Sequence, residues 1–304
     1  MTEIFGVPTQ ALFGQLLIGL INGSFYALLS LGLAVIFGLL NIINFSHGAQ
    51  YMMGAFVAWI GLTQVGQWVG DPGVSMSYWV ALTVAPLVVG GLGIVIERTM
   101  LRRLYSLDHL YGLLLTFGLA LIIEGLFRDW YGISGQPYEI PEILQGAINL
   151  GFMFLPKYRA WVIVASLVIC GATWYVIERT KLGSYLRAAT ENRALVQAFG
   201  IDVPRMITLT YGFGVALAAL AGVMAAPIYQ VNPLMGADLI IVVFAVVVIG
   251  GMGSIMGSVL TGFMLGVVEG LTKVFYPEAS NTVIFVIMVI VLILRPAGLF
   301  GRER

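Results

Sequence analysis

Nine apolar segments follow one another along the chain, at about residues 11–40, 49–68, 78–97, 110–127, 159–177, 207–226, 238–252, 254–271 and 282–295. Apolar runs of this length, nearly free of charge, are the pattern of membrane-crossing helices. The first is too long: thirty helical residues reach about 45 Å, against a hydrocarbon core of about 30 Å. It should be tilted, be broken near Gly32 or Gly38, or continue past the core as a half-helix. The expected fold is all-α: a polytopic bundle of about 8–10 transmembrane helices, some broken, forming a single membrane domain over 1–304. Small residues recur every four positions on two faces, Ser254–Ser258–Gly262–Gly266–Gly270 and Gly214–Ala218–Gly222–Ala226. Such stripes let helix backbones approach closely. Gly253, Gly257, Gly262, Gly266 and Gly270 are therefore assigned to close helix packing, with "GGMGSIMG" at 250–257 as a tight reversal.

Composition agrees. Of the residues 60% are hydrophobic and 10% charged, with a mean hydropathy of +0.98; a soluble domain carries about 25% charged residues. The formal net charge is zero and there is no basic tail, so nothing supports nucleic-acid binding. The single cysteine, Cys170, lies in an apolar run and reads as a small core residue. The start "MTEIFGVPTQ" has no basic region, so the first apolar run is expected to be a retained span rather than a cleaved leader.

Lysine and arginine set the orientation. Arg98, Arg102, Arg103, Arg179, Lys181, Arg187, Arg193, Arg205, Arg295, Arg302 and Arg304 make eleven of the fifteen basic residues, and all fall in three regions that nine spans place on one side. The N-terminus is then outside and the C-terminus cytoplasmic. Two polar stretches separate the spans: a long outer loop at 128–158, rich in aromatics and prolines, and a cytoplasmic loop at 178–206. In the second, 185–199 reads as one short helix closed by Gly200, mixing Leu186, Ala189, Val196 and Phe199 with Arg187, Glu191 and Arg193. It is either an ordinary solvated connector or a docking helix for a cytoplasmic partner.

Candidate chemistry is sparse. No G-x-x-x-x-G-K-[ST] occurs, so the chain has no nucleotide-hydrolysing loop of that kind. No H-E-x-x-H and no His/Cys cluster points to a metal. Ser46 next to His47 is not a dyad signal, since adjacent residues on a helix do not face each other. No catalytic residue, metal or cofactor is expected in this chain. Ionisable residues inside spans are candidates for a transport route, since burying charge there costs at least ~2.5–3.5 kcal/mol. Glu124 and Glu269 qualify, although each has a basic residue four positions on, Arg128 and Lys273, with which it could simply pair. Glu97 and Glu178, at inner helix ends beside Arg98 and Arg179, read as interfacial. The stretch "NIINFSHGAQ" at 41–50 brings Asn41, Asn44, Ser46, His47 and Gln50 into an apolar setting. It is a turn between spans one and two, or a turn that also lines the route or meets a partner subunit.

With these segments placed, the chain resembles the permease family of ABC importers for branched-chain amino acids. "NGSFYALLSLGLAVIFGLLNIINFSHGAQYMMGAF" (22–56) is similar to the family's N-terminal signature. "RAATENRALVQAFGIDVPRM" (187–206), followed by "ALAALAGVMAAP" (216–227), resembles its ATPase-coupling loop and next span, and "VVVIGGMGSIMGSVLTGFMLGVVEGL" (246–271) its C-terminal signature. The resemblance implies a multi-pass subunit of the bacterial inner membrane, embedded in lipid. Its partners would be a second homologous permease, two cytoplasmic ATPases that bind ATP and Mg, and an extracytoplasmic solute-binding protein. It places the ATPase contact at Arg187, Ala189, Glu191, Asn192, Arg193, Phe199 and Gly200. Branched-chain or other hydrophobic amino acids are the first expected cargo, with urea, amides and small organic or aromatic acids as alternatives. Where many relatives carry a glutamate after the histidine-glycine pair, this chain has Ala49-Gln50. A transporter driven by an ion gradient through Glu124 and Glu269 is the competing class.

Overall fold

A computed structural model describes residues 3–4, 7–40, 44–71, 75–105, 107–151 and 153–301. Twelve α-helices are present among them: α1 (Thr9–Leu40), α2 (His47–Thr63), α3 (Val65–Val69), α4 (Tyr78–Thr99), α5 (His109–Tyr131), α6 (Lys157–Arg179), α7 (Lys181–Glu191), α8 (Arg193–Ala198), α9 (Val203–Tyr229), α10 (Ala237–Gly250), α11 (Ile255–Phe275) and α12 (Val283–Leu294). Two short antiparallel pairs join β1 (Glu3–Ile4) to β2 (Val7–Pro8) and β3 (Ala147–Asn149) to β4 (Phe154–Pro156). All nine apolar segments are helical. By length and composition six helices (α1, α4, α5, α6, α9 and α11) can cross a membrane, with α10 and α12 shorter apolar helices. The chain is an all-α polytopic membrane protein.

The helix ends follow local chemistry. Ser77, Asp108, Asn192, Asp202 and Ser254 each accept a hydrogen bond from an amide of the helix they open, satisfying a donor that the helix leaves free. The overlong first segment is one unbroken helix of 32 residues, about 48 Å long at 1.5 Å per residue. Of the three alternatives for this segment, the break at Gly32 or Gly38 is absent. The α10–α11 reversal is built as expected on positive-φ glycines, Gly251 at 99° and Gly253 at 85°. Gly253 is thus an exposed turn residue rather than a helix-packing one.

The chain divides into two compact units, residues 1–31, 140–174 and 242–304 in one, and 32–139 and 175–241 in the other. In the first, α11 lies against the early part of α1 at backbone distance. A Cβ on Gly266 would fall 2.4 Å from the Gly19 carbonyl oxygen, and one on Gly262 2.6 Å from the Ala27 nitrogen. Gly270 meets the Gln15 carbonyl and Gly257 that of Gly250 in the same way. The small-residue stripe read from the sequence is therefore a true contact face. After α12 the chain returns to the α10–α11 turn, where the Leu299 amide donates to the Ile249 carbonyl at 2.8 Å.

In the second unit α9 is the central element, packed on α4 and α2. A Cβ on Gly222 would stand 2.0 Å from the Tyr51 carbonyl oxygen, and one on Gly54 2.2 Å from that of Ala219. The 128–139 part of the long loop is pinned here: Gln136 and Val231 exchange backbone hydrogen bonds of 2.8 and 2.9 Å, and buried Tyr138 stacks edge-on against Tyr78.

Candidate functional site

Asn44, Ser46 and Gln50 close a ring. The Ser46 hydroxyl donates to Asn44 Oδ1 at 2.6 Å, the Asn44 amide donates to Gln50 Oε1 at 3.1 Å, and the Gln50 amide donates to Ser46 Oγ at 3.1 Å. All three side chains are at most 1% exposed. Ser46 stands at the N-cap of α2 without capping it; its hydroxyl is committed to the ring. The backbone supports the same geometry, with the His47 amide donating to the Asn44 carbonyl and the Gln50 amide to the Ser46 carbonyl. His47 is fully buried against Gly32, where a Cβ would come within 3.0 Å of the imidazole. The Tyr211 hydroxyl of α9 is buried beside the ring and makes no well-formed hydrogen bond to it. Asn41 lies outside the described residues.

The two intramembrane glutamates have separate environments. Glu269, in the first unit, is 5% exposed and accepts from Tyr26 at 2.7 Å and Asn22 at 3.2 Å, with Lys273 as its ion-pair partner. The Lys273 pair is the contact the i, i+4 spacing allowed. Glu124, in the second unit, is half-buried, and no ion pair to Arg128 forms among the described residues.

The segment 178–206 differs from its expected form. In place of one helix over 185–199 there are two, α7 and α8, broken at Asn192. That residue is extended (φ −148°, ψ 96°), and its side chain accepts from the Leu195 amide at 2.9 Å. An asparagine that caps a new helix outcompetes continuation of the old one. Gly200 ends α8 at φ +83°, as the sequence suggested. Leu186, Ala189 and Val196 are buried in one cluster with Val203, Ile207 and Tyr211 of α9. Arg187 is tied down by the Ile177 carbonyl at 3.1 Å and by Glu178 at 3.2 Å. Glu191, Asn192 and Arg193 are exposed, and Phe199 is 78% exposed. The pair thus has an anchored apolar base and a projecting tip of charged and aromatic residues.

Glu97 departs from its expected setting. It is 1% exposed rather than interfacial. Its carboxylate accepts from the Tyr105 hydroxyl at 2.8 Å and from the Thr208 hydroxyl at 2.7 Å. The signal was present in the chain: Ala81, Ala85, Val89 and Gly93 recur every four residues on the buried face of α4, and Glu97 is the next step. Burial and the Glu97 carboxylate push the Tyr105 hydroxyl far above the ordinary phenol range, so it stays protonated and donates. The Arg193 guanidinium lies 5.8 Å from the centroid of the Tyr105 ring.

Deep glycine contacts, a closed buried polar turn and an anchored amphipathic helix pair are the marks of a closely packed polytopic helical membrane protein. Residues 15–292 match the family of branched-chain amino acid transport system permease components, and the chain belongs to that family. The high-affinity branched-chain amino acid transport system permease protein BraD of Pseudomonas aeruginosa is 33% identical over 296 residues, 95% of each chain. LivH of Escherichia coli K12, named for the same kind of system, is 27% identical over 99% of this chain and 98% of its own. LivM of the same strain is 26% identical over 92% of this chain and 68% of its own. Two permease proteins named for one type of system therefore share this chain's pattern.

Proposed function

We propose that the chain moves branched-chain or other hydrophobic amino acids inward across the bacterial inner membrane, with ATP hydrolysed by partner subunits. A second homologous permease would complete the transmembrane part. Two cytoplasmic ATPases would carry ATP and Mg, and an extracytoplasmic binding protein would deliver solute. The observation that carries this reading is the α7–α8 pair in a chain of this family. Its base is buried with α9 and α4, while Phe199, Glu191 and Arg193 project, as a lever seated in another protein requires. The clustering of basic residues supports the same side, the cytoplasm, for this pair, for the α4–α5 connection and for the C-terminus.

In this mechanism closure of the ATPase pair displaces α7–α8 and tilts α9 and α4. Solute passes beside the sister permease, meeting apolar walls and a few fixed polar groups. The test is co-purification with the ATPase subunits and uptake in proteoliposomes after Arg187→Glu, Arg193→Glu and Gly200→Pro. Phe199→Ser tests the tip without disturbing the core. Loss of ATPase association in a well-folded chain is expected, and unchanged association with unchanged uptake would sink the coupling role. Competition by leucine, isoleucine and valine against urea, short amides and aromatic acids reads the cargo. Ion-driven transport has less support, because Glu269 already holds Tyr26, Asn22 and Lys273.

A further inference from the structure

From the Glu97 geometry we infer that this carboxylate is a positioning residue for energy coupling: with Tyr105 and Thr208 it latches α4, α8 and α9 into one moving body. The inference rests on the coupling reading above and deepens it by naming what links the docking pair to the spans. Glu97 is the last buried residue of α4. Thr208 lies on α9, and Tyr105 follows the turn that ends α4. One carboxylate thus joins three points of the chain, with both oxygens engaged. Arg193, the first residue of α8, covers the other side of Tyr105. A cavity of about 120 Å³ lined by Glu97, Arg102, Tyr105, Arg193, Gln197 and Pro204 leaves room for these groups to shift.

The latch has an onward connection. Thr208 and Tyr211 are three residues apart and share a face of α9. Tyr211 belongs to the buried cluster that contains Leu186, Ala189 and Val196, and its hydroxyl lies beside the Asn44–Ser46–Gln50 ring. A displacement of α8 therefore has a packed route toward the polar turn of α2, through Tyr105, Glu97 and Thr208 to the face of α9 where Tyr211 adjoins the ring. A buried charge is a costly choice for a simple helix tie, since apolar packing would hold as well. A charge-assisted latch gives instead a contact that is strong in one geometry and lost in another.

Two measurements test this. Hydrogen exchange on the full chain in lipid nanodiscs reads the latch alone. Glu97→Gln and Tyr105→Phe should raise exchange over residues 192–200 about tenfold, the least that a hydrogen bond to a charged group provides, with α11 unchanged. Unaltered exchange overturns the latch. In the assembled importer in proteoliposomes, ATP hydrolysed per solute taken up should rise about tenfold in each variant while the ATPases still co-purify. The double variant should be no worse than the poorer single one, because both residues act in one unit. A coupling ratio that stays constant while exchange rises, or losses that add, would make Glu97 a purely structural tie and overturn the proposal. If the unaltered chain fails to bind any ATPase, the proposed function falls and the coupling role falls with it. Exchange then still reports whether the brace itself exists.

Discussion

Deleting one member of the Asn44–Ser46–Gln50 ring should be more damaging than replacing all three. Asn44→Ala removes two of the three ring bonds. It strands the Ser46 hydroxyl proton and the Gln50 carbonyl oxygen in a site where both side chains are at most 1% exposed. Each buried group left unsatisfied costs about 1–3 kcal/mol. Polar contacts in membrane bundles fall at the lower end of such values, so the expected loss is about 2–3 kcal/mol, or a factor of roughly 30–150 in the folded ratio. The triple variant Asn44→Leu, Ser46→Ala, Gln50→Leu removes every donor and acceptor of the ring together. Its loss should be under about 1.5 kcal/mol, the range of volume-conserving apolar exchange. Thermal unfolding of the detergent-solubilised chain, followed by tryptophan fluorescence, gives the order of stabilities. A triple variant less stable than Asn44→Ala would refute the ring argument. Uptake at a temperature where all variants are folded then separates the roles: retained uptake in the triple variant makes the ring a turn lock, and lost uptake makes it part of the solute route.

Four further outcomes follow from the geometry. Gly222→Ala and Gly54→Ala each drive a Cβ into backbone across the α2–α9 contact and should cost about 1–3 kcal/mol, more if α2 cannot move. Gly118→Ala and Gly125→Ala, with nothing within 4 Å, should leave thermal stability unchanged or improved. Glu269→Ala removes the acceptor shared by Tyr26, Asn22 and Lys273 and should lower stability by about 3–5 kcal/mol, as breaking a buried charged pair does; a loss below 1 kcal/mol would contradict the burial argument. The raised Tyr105 hydroxyl favours the neutral form in the folded state. Its contribution is therefore fully present below the ordinary phenol pKa of about 10 and is lost only as pH rises beyond that. Ultraviolet titration should show the same number of tyrosines ionising near pH 10–11 in the unaltered chain and in Tyr105→Phe, because the buried Tyr105 hydroxyl does not ionise there; one more ionising tyrosine in the unaltered chain would remove the latch's fixed donor.

The helical inventory was legible in the chain because burial in lipid leaves the backbone little choice: an apolar run must bond to itself. The same holds for the Gly262–Gly266–Gly270 stripe and the glycine reversal at 250–253, where spacing alone implies close approach. Several local details were not legible. The break at Asn192 depends on whether a cap or a continued helix wins, a balance of about 1 kcal/mol. The unbroken course of α1 at Gly32 and Gly38 is decided by what packs on it, since glycine permits a break without requiring one. Gly253 shares the stripe's composition but belongs to the turn.

What the sequence determined by itself is the class: an all-α membrane protein of the branched-chain amino acid permease family, carrying an amphipathic segment at 178–206. Periodicity and motif are local properties and survive without coordinates. What only the tertiary structure decided is which polar residues meet. Asn44, Ser46 and Gln50 satisfy one another in a closed ring, Glu269 finds partners on α1, and Glu97 turns inward to hold Tyr105 and Thr208. A buried charge or amide must find a partner, but the partner of Glu269 is 243 residues away at Tyr26 and that of Glu97 is 111 residues away at Thr208. Those separations carry no one-dimensional signal; only the folding of the helices against one another chooses the pairs.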